Sequence, residues 1–154
     1  MLHKIHIQTT SRDQMIDITD QVRAVVRQEK VKDGVVTVYC PHTTAGVTIN
    51  ENADPDVVRD LLMRLDEVYP WVHPQYRHTE GNSAAHLKAS TMGASQSVPV
   101  ADGQLVLGHG RGFISVSLTA PGGGPFMSKY KKINVFMNPP TVRERVEFLP
   151  SFLF

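Results

Sequence analysis

From Ile114 onward, the run Phe113–Ile114–Ser115–Val116–Ser117–Leu118 alternates apolar and hydroxyl-bearing residues. A period of two belongs to a strand whose two faces meet different surroundings, and no helix can reproduce it. The same signal recurs along the chain. Val35–Cys40 is β-branched and aromatic, Val47–Thr48–Ile49 resembles it, and Tyr130–Met137 sets Ile133, Val135 and Met137 on one face. Leu2, Ile5 and Ile7, followed by Met15–Ile18, predict two short strands around a polar turn at Ser11–Arg12–Asp13. Ser97–Val100, Ala101–Asp102–Gly103 and Gln104–Leu107 read as strand, tight turn and strand.

Helical spacing is rarer. Thr19 is placed to cap a helix in which Val22, Val25 and Val26 recur until Gln28. Asp54 before Pro55 is a helix start, and Val58, Leu61, Leu62 and Leu65 then form one stripe. His86–Ser90 predicts a short helix that stops at Gly93. Together these elements predict an α+β fold, a single compact domain of mostly antiparallel β layers with one or two packed helices. At 154 residues the chain can bury its core without disulfides or structural metal. The domain is expected over residues 1–138. An apolar C-terminal tail, 139–154, carries Phe148, Leu149, Phe152, Leu153 and Phe154 and is expected to dock on its own domain or on a neighbouring subunit.

Sixteen basic and fifteen acidic residues leave a net charge of +1, too little to draw in nucleic acid or an anionic membrane surface. Any anionic partner is therefore a small metabolite held locally. The start of the chain lacks the apolar run of a signal peptide, and no segment has the apolar length of a membrane span. Cys40, the only cysteine, lies in an apolar strand and reads as a buried small hydrophobe. These features lead to an expected cytoplasmic location.

Three constellations have chemical potential. His42–Thr43–Thr44–Ala45–Gly46 follows a strand end and is separated by one short strand from Asn50–Glu51–Asn52–Ala53–Asp54. Glu51 is either a functional carboxylate or a solvated one, and Asp54 is accounted for as a helix cap. The second constellation, Tyr76–Arg77–His78–Thr79–Glu80–Gly81–Asn82, precedes His86–Leu87–Lys88–Ala89–Ser90 in a long connection with two prolines. Three imidazoles plus water make an open coordination sphere for a divalent metal such as zinc, so His42, His78 and His86 form the candidate metal set. The spacing leaves open that one of them is simply a surface histidine. The third is the glycine-rich turn Gly108–His109–Gly110–Arg111–Gly112, whose arginine fork, with Lys88, suits a phosphate or carboxylate, unless the two are an ordinary surface lysine and a packing arginine. His3, His6 and His73 have no comparable neighbours and read as structural or exposed. No G-x-S-x-G elbow is present.

The run from His42 to Pro55 resembles the H-T-[ST]-A…N-E-N-x-D-P segment of the YjbQ family, the secondary thiamine-phosphate synthase-like proteins. Asn82 through His86–Leu87–Lys88–Ala89–Ser90 to Gly93 resembles that family's N…H-[LI]-K-[AS]-S…G segment. Ser95, Val98, Val100, Gly103 and Gly108 fall at the spacing of its C-terminal signature, and the likeness runs to about Met137. Where the family reads G-T-W-Q, this chain has Gly108–His109–Gly110–Arg111, which removes an indole and an amide and adds a cation.

The resemblance implies a homotrimeric α+β protein whose histidine cleft lies near a subunit boundary. It implies that His42, His78 and His86 gather as a metal or anion site, with Lys88 and Ser90 beside it. The activity it implies joins a pyrimidine diphosphate to a thiazole phosphate, giving thiamine phosphate. In that reading His86, Lys88 and Glu51 are the catalytic candidates, and Thr43, Asn50, Asn52, Ser90 and Arg111 bind the substrate. Two alternatives stand beside it. One is metal-assisted hydrolysis with Glu51 or Glu80 as base. The other is a trimeric module that binds a small anionic metabolite or metal without turnover.

Overall fold

The structure is a computed structural model that describes residues 1–119 and 130–138. The triglycine stretch and the apolar tail lie outside the described residues. In chain order the elements are β1 (Leu2–Gln8), β2 (Asp13–Asp17), α1 (Thr19–Gln28), β3 (Gly34–Tyr39) and β4 (Ala45–Glu51). They continue with α2 (Pro55–Val68), α3 (Ser83–Met92), β5 (Ser95–Ala101), β6 (Gln104–Leu105), β7 (Arg111–Leu118) and β8 (Tyr130–Asn138).

The strands form two antiparallel sheets, one of order β1-β8-β3-β5-β6 and one of order β2-β7-β4. The two-residue period explains their packing. Val36, Val38, Val98, Val100, Ile133, Val135 and Met137 point from the five-stranded sheet into a core shared with Ala45, Val47 and Phe113 of the three-stranded sheet. The valine stripe of α1, Val22, Val25 and Val26, closes the same core. The opposite face of β7, carrying Ile114, Val116 and Leu118, packs under Ala85 and Ala89 of α3. Both faces of β7 are thus buried, which is why its alternation pairs apolar residues with small hydroxyls rather than with charges.

Alanines let α3 approach the sheet closely. A side chain on Gly46 would place its Cβ 2.8 Å from the Gly93 carbonyl and 2.9 Å from Met92 Cβ, so only glycine fits beneath the end of α3. Asp102 and Gly103, with φ of 50° and 75°, form the expected hairpin turn between β5 and β6. β6 itself stops at Leu105, two residues earlier than the sequence suggests.

Two expectations need correction. The helix expected from His86 begins three residues earlier, at Ser83, and runs to Met92, so that three helices stand among the described residues. Thr19 is the first helical residue of α1 rather than its cap, and the capping residue Ile18 is fully buried. The Thr19 hydroxyl is engaged elsewhere: it donates to Asp17 Oδ1 and accepts from the Phe113 amide at 2.9 Å. It ties the helix start to β7. Asp54 does cap α2, accepting from the Asp56 amide at 2.9 Å, with Pro55 at the first position. The stripe of α2 is only half-buried apart from Leu65.

Candidate functional site

The connection between α2 and α3 turns back on itself at His78, whose carbonyl accepts from the Gly81 amide at 3.1 Å. That turn carries His78 and Glu80 to the N-terminal turn of α3, where His86 is the fourth residue. His78 Nε2 lies 3.7 Å from Glu80 Oε2, and the His78 and His86 rings meet edge to face with centroids 5.2 Å apart. One ligand atom from each of His78, Glu80 and His86 falls within 4.8 Å of the others, a grouping able to hold a metal ion. His86 Nε2 is buried and has no hydrogen-bond partner among the described residues. A buried ring nitrogen left unpaired is costly, and a ligand would relieve that cost.

His78 and His86 stand on the wall of a cleft of about 590 Å³ lined by Gln75, Tyr76, Arg77, His78, Ser83, His86 and Leu87. That volume suits a small metabolite. The lining offers one guanidinium, one phenol, one hydroxyl and an apolar patch. Glu80 is further held by Asn82 Nδ2, which donates to its Oε2 at 3.2 Å, and it sits at the positive end of α3.

His42 does not join this group. Its Nε2 accepts the Lys132 backbone N–H at 3.0 Å, so the neutral ring carries its proton on Nδ1 and is a donor rather than a metal ligand. Burial, followed by the charges of Lys131 and Lys132, lowers its pKa and keeps the ring neutral.

Lys88 lies on the other side of α3. Only 1% exposed, its Nζ donates to Asp13 Oδ2 at 2.8 Å and to Asp66 Oδ1. Arg12 reaches both carboxylates, at 3.1 and 3.3 Å, and lies 4.7 Å above the Trp71 ring. The ammonium that the sequence suggested for an anion is therefore enclosed by carboxylates. Ser90 bonds back to the His86 carbonyl at 2.9 Å.

Glu51, Asn50, Asn52 and Arg111 gather at the far end of β4, paired with the start of β7. Six residue steps separate that end from Ala45, about 20 Å of extended chain. Asn50 Oδ1 accepts from the Glu51 amide at 2.8 Å, and the Glu51 carboxylate packs against Gly110 while accepting from the Ala53 amide at 3.3 Å. The Asn52 side chain bonds to Asp17. Burial pushes the Asp17 carboxyl up, but the hydrogen bonds of Thr19 and Asn52 and the charge of Arg23 outweigh it and lower the pKa. Arg111 is exposed and folds beside Gly108, and Thr43 is exposed next to His42.

The chain matches the family model described as UPF0047 protein YjbQ-like over residues 3–121. It belongs to the YjbQ/UPF0047 family. UPF0047 protein YugU of Bacillus subtilis is 54% identical over 121 residues, covering 79% of this chain and 92% of that protein. A UPF0047 protein of Methanocaldococcus jannaschii is 42% identical over 123 residues, covering 79% and 87%. Among solved structures, a YjbQ/UPF0047 protein from Clostridium acetobutylicum superposes with a TM-score of 0.82 at 45% identity, over 88% of this chain and 99% of that one. A YbjQ-like protein from Sulfolobus solfataricus gives 0.81 at 27% identity, over 91% and 97%. The family model thus spans the chain from β1 to β7, including the three described helices.

Sequence reasoning missed Glu80 as a partner of the two histidines, although its position two residues after His78 in a glycine turn was a usable signal. Arg77, Tyr76 and Ser83 were equally readable as neighbours. Asp13 and Asp66, the partners of Lys88, carried no local signal, being 75 and 22 residues away.

Proposed function

We propose that this YjbQ-family chain binds a divalent metal, zinc by its donor chemistry, through His78, Glu80 and His86, and acts there on a small phosphorylated or anionic metabolite. The observation that carries this reading is the grouping of one ligand atom each from His78, Glu80 and His86 within 4.8 Å, beside a buried His86 Nε2 that has no hydrogen-bond partner among the described residues. Zinc–nitrogen and zinc–oxygen bonds of about 2.1 Å limit ligand atoms to roughly 4.2 Å apart. The 3.7 Å His78–Glu80 separation already fits, and a small side-chain rotation closes the rest. Two imidazoles and one carboxylate match an open, catalytic-type donor set. Such an ion activates water and polarises a phosphoryl or carbonyl oxygen.

The chain's own groups supply the rest. Arg77 offers a two-point fork for the anion, Tyr76 and Leu87 form an apolar wall, and Ser83 offers a hydroxyl at the rim. Metal-assisted hydrolysis fits this set better than the thiamine-phosphate synthase reading, because Lys88, which would neutralise a departing pyrophosphate, is held by Asp13 and Asp66. Homotrimer formation fits the half-buried stripe of α2 and the exposed Met63, Val68 and Val72. A cytoplasmic location fits the single cysteine, buried and free of any disulfide.

The test is metal content of tag-free protein and of His86→Ala and His42→Ala at matched folding. About one zinc per chain, lost with His86→Ala and kept with His42→Ala, is the expected result. No metal after supplementation, or equal loss in both variants, overturns the reading.

A further inference from the structure

A further polar cluster sits where strand ends collect, away from the His78–His86 cleft. On β8, Lys131 shares the inward parity of Ile133, Val135 and Met137, so a lysine faces the inter-sheet core and is only 5% exposed. On β7, Ser117 and the adjoining Thr119 share the parity of Phe113 and face the same core. Cys40 follows β3 into that core, and His42 stands beside Lys132. Lys131 is the second residue of β8, Thr119 the first after β7 and Cys40 the first after β3, so the cluster lies at one end of the sandwich rather than mid-core.

Lys131 Nζ donates to Thr119 Oγ1 at 3.0 Å, and among the described residues it forms no ion pair with a carboxylate. Residues 120–130, which link β7 to β8 in sequence, include neither Asp nor Glu. Ser117 Oγ, with the residue 1% exposed, has no hydrogen-bond partner among the described residues. A buried ammonium without a counter-charge and a buried hydroxyl without a partner are each unfavourable, and here both line the inter-sheet core at one end of the sandwich. The donors have a single sign: an amine, two hydroxyls and the Nδ1–H left to His42 by its bond from Lys132.

We propose that Lys131, Ser117, Thr119 and His42 form a binding site for a small oxyanion of phosphate size, separate from the metal cleft. The electrostatics are consistent with it. Burial pushes Lys131 below the ordinary lysine range and Cys40 above the ordinary thiol range, while His42 is lowered, so without an anion all three titratable groups facing this end resist charge. An anion would favour the charged form of the two bases, so the site should bind it less well as pH rises through their titration.

The experiment is calorimetric titration of the full chain with inorganic phosphate. Saturable binding is expected. Lys131→Met, an apolar chain of similar length facing the core, should fold at least as stably and lose binding at least tenfold. Ser117→Ala should weaken it severalfold, and Arg77→Met, in the cleft, should leave it intact. Unchanged affinity in Lys131→Met overturns the site, as does loss of binding in Arg77→Met, which would move the phosphate to the cleft. Absence of saturable heat in the native chain, with Lys131→Met merely more stable, overturns it too and identifies Lys131 as a neutral buried amine. Metal content is unaffected by any of these outcomes.

Discussion

Replacing Lys88 by methionine removes a buried cation while keeping most of the side-chain volume, so the change isolates charge from packing. Breaking a buried ion pair from one side costs about 3–5 kcal/mol because the remaining charge stays desolvated. Two features move this chain to the low end. Asp66 is 47% exposed and rehydrates, and Asp13, nearly buried, keeps Arg12 at 3.1 Å. The expected loss is therefore about 2–3 kcal/mol, or roughly 5–10 °C in Tm for a domain of this size. Asp66→Asn, on the solvated side, should lose about 1 kcal/mol or less.

Acid titration adds a second readout. Burial pushes the Asp66 carboxyl up, but the hydrogen bond and charge of Lys88, and then Arg12, bring it below its ordinary value. A carboxyl lowered on folding stabilises the protein above its unfolded value of about 4, and that contribution disappears as pH falls through the folded value. Urea unfolding of the native chain and Lys88→Met at pH 7 and pH 3 should show a wide gap that narrows in acid. A gap below about 1 kcal/mol at pH 7, or an Asp66→Asn loss equal to that of Lys88→Met, would refute the assignment of Lys88 to a structural charge cluster.

Gly46→Ala forces a Cβ against the Gly93 carbonyl at 2.8 Å, so it should destabilise the chain by about 1–3 kcal/mol in chemical denaturation. An unchanged midpoint would mean that α3 shifts freely over the sheet. Asp17→Asn should lower stability at neutral pH but converge with the native chain in acid. The lowered Asp17 carboxyl contributes only above its unfolded value and loses that contribution as pH falls through the folded one. Equal differences at pH 7 and pH 3 would count against it.

The parts of the fold readable in the sequence were those set by local chemistry. Asp54–Pro55 announces α2 because a cap and a proline act within one turn, and Asp102–Gly103 announces the hairpin because both residues take positive φ. Thr19 was misread for a long-range reason: its hydroxyl answers to Phe113, 94 residues away. The same limit governs the site. His78 and His86 are close in sequence and meet, whereas His42 is drawn to β8 by a backbone hydrogen bond that no local pattern encodes. Lys88 looked like an anion donor because its partners come from β2 and α2.

His86 and Lys88 are two residues apart on α3, about 200° around the helix axis. One must look into the cleft and the other into its cage of carboxylates. Rotating α3 by a single residue would withdraw the imidazole and strand an ammonium in apolar surroundings at once. The angular setting of this helix is thus fixed from two sides. Insertions or deletions within α3 should be far less tolerated than point changes on its exposed positions, such as Leu87, Ser90 and Thr91.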